Sequence, residues 1–158
     1  MVITELREKY KKAHETYLKY KDTNHTNNIE QQYMPEILSL LPLKHLYTTP
    51  DCFLNYLGVD LIDLDTGKTF DVKICRHLTG TQVMIDAYKK GYKAVDCKIN
   101  DYFVFLNSTN CIVATSDTIS RLIPPETECF YLKRDLYQTT KKAIVDLKDV
   151  KKVVIPRR

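Results

Sequence analysis

The 158-residue chain lacks most of the short motifs by which common enzyme and cofactor-binding classes are recognised. Its five cysteines form no CxxC pair, so neither a zinc knuckle nor a disulfide framework is indicated and we expect reduced thiols. A GxxxxGK[ST] loop and a GxSxG motif are absent, which disfavours an ATPase and a serine hydrolase. Only 4 glycines leave little room for a dinucleotide-binding fingerprint. Without an apolar run of about 18 residues, no membrane-spanning helix is expected.

What the chain does contain is an uneven distribution of charge around a net value of +4. Residues 1–21 carry six Lys or Arg against three Asp or Glu, and residues 133–158 carry nine against three. The segment between them has nine against fourteen. Basic ends around an acidic middle are typical of a protein that binds a polyanion at its periphery and metal ions at its centre. The alternative is that the basic ends only aid solubility.

Hydrophobic periodicity and turn residues predict one mixed α/β domain. The predicted helices cover residues 3–21, 29–41, 79–92, 118–123 and 136–145. The predicted strands cover residues 46–48, 53–57, 59–64, 69–75, 102–106, 111–115, 129–132 and 153–155. Pro35 should kink the second helix or mark a restart within it. A DTG turn joins strands 59–64 and 69–75 into a hairpin, which is the clearest local signal in the chain.

This hairpin carries charged residues where an apolar strand should avoid them. Asp71 and Lys73 are two positions apart, so their side chains point to the same face of the strand. If Asp60 on the first strand projects to that face, two carboxylates and one ammonium group converge. Two neighbouring carboxylates repel each other unless a cation bridges them, and Mg²⁺ prefers such oxygen ligands. The hairpin therefore predicts a site for metal-assisted phosphodiester hydrolysis, and the alternative is an exposed hairpin with solvated charges.

The sequences GVD at 58–60 and DVK at 71–73, with ten residues between the two aspartates, resemble the PD-(D/E)XK nuclease superfamily. Val59 stands where that family often has proline. The resemblance implies the restriction-endonuclease-like fold, an α/β architecture whose central mixed sheet is flanked by helices. On this basis we divide the single domain into an N-terminal helix (1–28), a catalytic core (29–115) and a basic C-terminal part (116–158).

Many members of the superfamily have a further glutamate on the helix before the hairpin. The candidates are Glu30 and Glu36, and Glu30 is preferred because its separation from Asp60 resembles that in archaeal Holliday-junction resolvases. An acidic residue in the first turn of a helix is also favoured by the helix dipole, which is the structural alternative.

Several basic and polar residues are candidates for contact with DNA. Phosphate contacts of this kind give affinity rather than sequence specificity. The candidates are Arg76, His77, Gln82, Lys133, Arg134, Lys151 and Lys152, with Lys141 and Lys142 extending the same track. For each of them, a solvated surface position is the alternative.

The sequence and the resemblance together predict a small DNA endonuclease in which Asp60 and Asp71 ligate Mg²⁺ (or Mn²⁺), with Glu30 as an additional ligand or as the residue that orients the attacking water. Lys73 would position the attacking hydroxide or stabilise the transition state. We expect a homodimer if the substrate is a duplex, because two cuts need two sites. The expected location is the cytoplasm of a bacterium or a phage-infected host cell. The alternatives are a non-catalytic nucleic-acid-binding or protein-inhibiting module on the same scaffold, and a structural or host-takeover phage protein with an unrelated fold.

Overall fold

A computed structural model of the chain describes Lys11, residues 26–49 and residues 57–158. Over this part the chain forms two α-helices and ten strands in two sheets. The helices are α1 (Thr26–Leu40) and α2 (Ser116–Leu122), and the strands are β1 (Leu46–Thr48), β2 (Leu61–Asp63), β3 (Thr69–Cys75), β4 (Gln82–Lys89), β5 (Tyr92–Lys93), β6 (Tyr102–Asn107), β7 (Asn110–Thr115), β8 (Phe130–Tyr131), β9 (Thr140–Asp146) and β10 (Val153–Pro156). Two 3₁₀ turns cover Ala94–Cys97 and Glu126–Glu128.

The larger sheet has six strands in the order β1-β2-β3-β6-β7-β10. Its neighbouring strands are antiparallel except for β3 and β6, which run parallel with Val72 opposite Val104. The smaller sheet is wholly antiparallel, in the order β5-β4-β9-β8. The predicted mixed α/β class and the mixed central sheet are therefore confirmed.

One face of the larger sheet is covered by α1. Ile37 and Leu40 of the helix are buried against alternate strand residues, among them Phe70, Val72 and Val104. Pro35 lies inside the helix without ending it. A proline in a helix interior costs about 3 kcal/mol, and burial of the flanking apolar residues on the sheet offsets that cost.

The opposite face of the larger sheet packs against the smaller sheet, where the sequence predicted further helices. Phe103 and Phe105 of β6 lie in this second core with Val83 and Ile85 of β4. Ile119 of α2 joins the same core. Because side chains alternate along a strand, the residues of β3 between its helix-facing positions project toward the smaller sheet. These residues include Asp71 and Lys73.

Two predicted helices are wrong, because both segments are strands of the smaller sheet. Residues 82–89, predicted within a helix, form β4, and residues 140–146 form β9. In β4 the buried positions are Val83, Ile85 and Ala87, which is the period of two expected for a strand. Gly91, predicted to end a helix, instead follows β4 in the turn to β5, where it has a φ of 82°.

The other predicted helices and strands that the structure describes are present, but the strand predicted at 59–64 is limited to Leu61–Asp63, so Asp60 precedes the strand. The helix predicted at 29–41, the hairpin around the DTG turn and the short helix near 118–123 are all present. The predicted helix 3–21 and strand 53–57 lie outside the described residues, apart from Lys11 and Leu57. No helix in the described part of the chain is long and apolar enough to cross a membrane.

Candidate active site

Asp60 lies at the point where β2 and β3 diverge. Within the described residues β2 pairs with β3 at only two positions, Thr69 and Phe70. Asp60 N donates to the Phe70 carbonyl (2.9 Å), and Val72 N then donates to Asp60 Oδ2 (2.7 Å). The carboxylate thus takes the place of the backbone acceptor that a continuing strand would supply. This bond fixes Asp60, which is 6% exposed, beside Asp71 of β3.

Gly58 permits this approach of the chain. Its φ of +83° is a conformation that only glycine adopts readily. A Cβ atom there would lie 2.8 Å from Asn100 Oδ1 and 2.9 Å from Lys98 Cδ. The glycine of the GVD sequence is therefore needed for two reasons, its backbone conformation and the close passage of Lys98.

Three lysines contact the carboxylates of Asp71 and Asp86. Lys98 Nζ lies 2.6 Å from Asp71 Oδ2 and 3.6 Å from Asp86 Oδ2. Lys73 Nζ lies 3.0 Å from Asp86 Oδ2 and 3.6 Å from Asp71 Oδ2. Lys142, the residue opposite Asp86 in the β4–β9 register, contacts Asp86 Oδ1. Each of these carboxylates therefore lies within 4 Å of at least two ammonium groups.

Glu30 lies with Asp60, Asp71 and Asp86 in one group of carboxylates, here called the acidic cluster, whereas Glu36 does not. A cleft of about 230 Å³ opens beside β3 and is lined by Glu30, Lys73, Asp86 and Lys142. Glu36 lies less than two turns further along α1, where Arg157 donates to both of its oxygens at 2.5 and 2.6 Å. Of the two predicted glutamates, the structure brings Glu30 together with Asp60, Asp71 and Lys73 and leaves Glu36 in a separate ion pair.

Burial and mutual repulsion make two of the carboxyl groups unusually weak acids. Burial raises the pKa of Asp60 to about 8, and the negative charges of Asp71 and Glu30 add to that shift. Burial also raises the pKa of Glu30 to about 7, although Lys73 and Lys98 oppose the rise. At neutral pH the protein without a bound cation therefore keeps a proton on Asp60, which hydrogen-bonds to Asp71.

The lysines have the opposite effect on the other two acids. Burial disfavours ionisation of Asp71, but Lys73 and Lys98 outweigh it and hold the pKa of Asp71 below its ordinary value. Lys73, Lys142 and Lys98 likewise hold the pKa of Asp86 well below its ordinary value against the effect of burial. In return, Asp71 and Asp86 raise the pKa of Lys73 well above its ordinary value, although burial opposes the rise. Lys73 is therefore a permanent cation at physiological pH.

The predicted DNA-contacting residues divide into two groups. Arg76 and Arg134 line the cleft beside Glu30 and Lys73. The remaining candidates do not line the cleft: His77, Gln82, Lys133 and Lys151 are exposed, and Lys152 is half-buried. The Lys152 ammonium donates to the carbonyls of Lys148 and Val150, so it also stabilises a local turn. Gln82, predicted to lie within a helix, is instead the first residue of strand β4.

Sequence reasoning missed Asp86 and Lys98 and gave Lys142 a different role. Asp86 lies in β4, whose sequence QVMIDAYK has three consecutive apolar residues at positions 83–85 and so lacks the clear apolar–polar alternation of β3. Had this segment been recognised as a strand, Asp86 would have been a second acid within an apolar strand. Lys98 follows a 3₁₀ turn and has no local signal that marks it. Lys142, predicted to extend a phosphate track, forms the cross-strand pair with Asp86.

The chemistry of the acids suits a hard divalent cation. Within the described part of the chain, no three Asp, Glu, His or Cys side chains form a group that could hold a metal ion as they stand. Asp60, Asp71 and Glu30 nevertheless supply only oxygen donors, which Mg²⁺ and Mn²⁺ prefer. Burial is the main cause of the raised pKa values of Asp60 and Glu30, and the negative charge of Asp71 adds to both; a bound cation would offset these effects by favouring the ionised carboxylates. The residues thus fit such an ion in donor type and in charge.

Comparison of the sequence with known proteins gives no match, either to a protein-family model or to a curated protein. The function is therefore inferred from the site itself.

Proposed function

We propose that the chain is a metal-dependent DNA endonuclease of the restriction-endonuclease-like fold, with Glu30, Asp60, Asp71 and Lys73 as its active-site residues. The observation that carries the proposal is that these residues lie close together in the structure. Glu30 comes from α1, Asp60 directly precedes β2, and Asp71 and Lys73 belong to β3. Two features support the fold assignment. The hairpin of β2 and β3 carries two acids and the Asp-x-Lys sequence, and β3 pairs in parallel with β6. One departure is that the connection from β3 to β6 passes through β4 and β5 rather than a helix.

Asp60, Asp71 and Glu30 are the residues that would hold a Mg²⁺ or Mn²⁺ ion. When bound, the ion would supply Lewis-acid activation of the phosphodiester and of water. Because Asp60 and Glu30 keep protons near neutral pH, these two groups must lose protons before they can bind a cation. Cation uptake should therefore release protons and become stronger as the pH rises toward 8.

Lys73 acts in this proposal as a fixed positive charge. Its ammonium group lies between Asp71 and Asp86, which keep it protonated, so it is unsuited to remove a proton from water. A preorganised cation instead stabilises the negative charge that develops on the phosphate in the transition state. A protonated Lys73 is compatible with both predicted roles, positioning the attacking hydroxide and stabilising the charge of the transition state. Asp86 acts as a positioning residue for this ammonium.

The cleft is suited to a nucleic-acid backbone. Arg76 and Arg134 line it beside the acidic cluster, and guanidinium groups bind phosphate oxygens in pairs of parallel hydrogen bonds. We propose that these two residues hold the phosphates that flank the scissile bond. As the resemblance to the nuclease superfamily implies, hydrolysis would leave a 5′-phosphate, and a duplex substrate would need two copies of the chain.

Incubation of plasmid and branched DNA with the purified protein tests the proposal. We expect cleavage with Mg²⁺ or Mn²⁺ and none with EDTA. Lys73→Ala should lower the rate by about 100-fold or more, as expected for loss of a preorganised charge. Lys68→Ala is the matched control, because Lys68 is an exposed lysine in the turn of the same hairpin. Absence of cleavage with either metal would contradict the proposal, and so would equal rates for Lys73→Ala and Lys68→Ala.

One observation favours a second candidate, a DNA-binding module without catalysis. Lys98 and Lys73 already compensate the charge of Asp71, so the pair of lysines could stabilise the fold without a metal ion. Tight DNA binding in the same experiment, without cleavage in either metal, would support this module instead of the enzyme.

A further inference from the structure

The loop between β8 and β9 joins the cleft to an exposed apolar tip. At its start, Leu132 and Arg134 line the cleft. A few residues further along, Leu136 and Tyr137 are 84% and 89% exposed, the two highest values for large apolar side chains in the described part of the chain. Two adjacent large apolar residues at a loop tip form a small exposed patch whose burial against a partner would be favourable.

Internal hydrogen bonds stabilise the turn that carries this tip. The Asp135 carboxylate accepts from Thr139 N at 2.8 Å, from the Thr139 hydroxyl at 3.1 Å and from Thr140 N at 3.2 Å. Asp135 N donates to the Leu132 carbonyl, and Gln138 N donates to the Asp135 carbonyl. The Asp135 carboxylate is thus committed to the loop itself, and Leu136 and Tyr137 are presented on a formed turn.

The charges around the tip favour a polyanionic partner. Lys133 and Arg134 come directly before Asp135, and Arg76 lines the cleft behind them, where Lys142 is paired with Asp86. An aromatic side chain beside such cations matches the arrangement by which proteins bind single strands, in which cations follow the phosphates and rings stack on bases. A regular duplex offers no free base face, because each base is stacked on its neighbours.

We propose that Leu136 and Tyr137 contact unpaired bases of a DNA strand whose backbone lies in the cleft. The inference rests on the proposed function and specifies its substrate as DNA with single-stranded or distorted segments, such as flaps and branches. Tyr137 would stack on one base and Leu136 would pack against the adjoining base or sugar. In a regular duplex the same contacts would require bases to be unstacked first, so binding there should depend little on the tip.

Binding measurements in EDTA test the proposal without any cleavage. The probes are a fluorescein-labelled single strand of about 20 nucleotides, its blunt duplex, and the same duplex with a single-stranded flap. Tyr137→Ala should weaken binding of the single strand and the flap by about tenfold or more, the size of one lost stacking contact. Tyr137→Phe should retain the affinity. The matched control is Tyr92→Ala, since Tyr92 on β5 is 70% exposed and does not line the cleft.

A spectroscopic test exploits the absence of tryptophan from the chain. Tyr137→Trp introduces a single indole, whose fluorescence should be quenched when a base of the single strand stacks on it. Equal affinity of Tyr137→Ala and the native protein for the single strand would overturn the proposal. An equal loss of affinity for the single strand and the blunt duplex would overturn it as well. These outcomes are independent of the Lys73→Ala cleavage test, so failure of one proposal is distinguishable from failure of the other.

Discussion

The substitution Asp60→Asn offers a sharp test of the electrostatics of the acidic cluster. Asparagine has nearly the shape of a protonated aspartic acid. Its carbonyl oxygen can accept from Val72 N, and its amide can donate to Asp71, as the proton on Asp60 does. The variant therefore preserves the contacts of the neutral side chain while removing its ability to ionise.

The expected effect follows from the pKa of Asp60. The rise from 3.8 to about 8 spans about four pKa units, each worth about 1.4 kcal/mol. Between these two values the folded protein binds a proton that the unfolded chain has lost, so the free energy of unfolding decreases as the pH rises. Over this range of pH the native protein should lose roughly 2 to 5 kcal/mol of unfolding free energy relative to Asp60→Asn.

Urea unfolding in EDTA at about pH 4.5 and about pH 9 measures this difference. The two proteins should be similar in stability at the lower pH, and Asp60→Asn should be the more stable at the higher pH. Asp63→Asn is the control, because Asp63 is equally buried but its carboxylate accepts from Thr66 and Asp65 in the hairpin turn. A stability difference between native protein and Asp60→Asn that does not change with pH would refute the reasoning.

Three further predictions concern the residues around the cluster. Gly58→Ala should lower the free energy of unfolding by about 2 kcal/mol or more in urea, because alanine is strained at a φ of +83° and meets Asn100; unchanged stability would contradict this. Lys98→Met should tighten Mg²⁺ binding by about tenfold in calorimetry at about pH 8, because it removes a cation from Asp71; weaker binding would contradict it. Glu30→Gln should abolish metal-dependent cleavage, whereas Glu36→Gln should leave cleavage intact and lower the free energy of unfolding by only about 1 kcal/mol, because it weakens a half-buried ion pair. Equal cleavage by the two variants would show that Glu30 has no special role.

Much of the site could be predicted because its signals are local. The period-two alternation of β3 places Asp71 and Lys73 on one face, and the DTG turn fixes the hairpin that brings Asp60 near them. The choice of Glu30 over Glu36 came from the resemblance to a family spacing. The structure places Glu30 in the cleft with Lys73, while Glu36 pairs with Arg157 near the other end of the chain.

The parts that could not be predicted depend on contacts between distant segments. In β4, apolar residues at positions 83, 85, 87 and 88 fit a helix face as well as a strand, and only pairing with β9 decides between them. Because this segment was predicted to be a helix, Asp86 was not identified as a residue of the site. Lys98, which contacts Asp71, follows a short 3₁₀ turn, and the sequence of this turn has no periodic pattern that would predict the contact. The second sheet in place of flanking helices likewise results from tertiary pairing.

Calorimetric titration of Mn²⁺ into the native protein tests the central claim, that the acids at the divergent strands bind a divalent cation. We predict saturable uptake that strengthens from about pH 6 to about pH 8, with protons released on binding as Asp60 and Glu30 ionise. The same uptake should be lost in Asp71→Asn and kept in Asp63→Asn. Absence of uptake by the native protein, or uptake that Asp71→Asn leaves intact, would contradict the account.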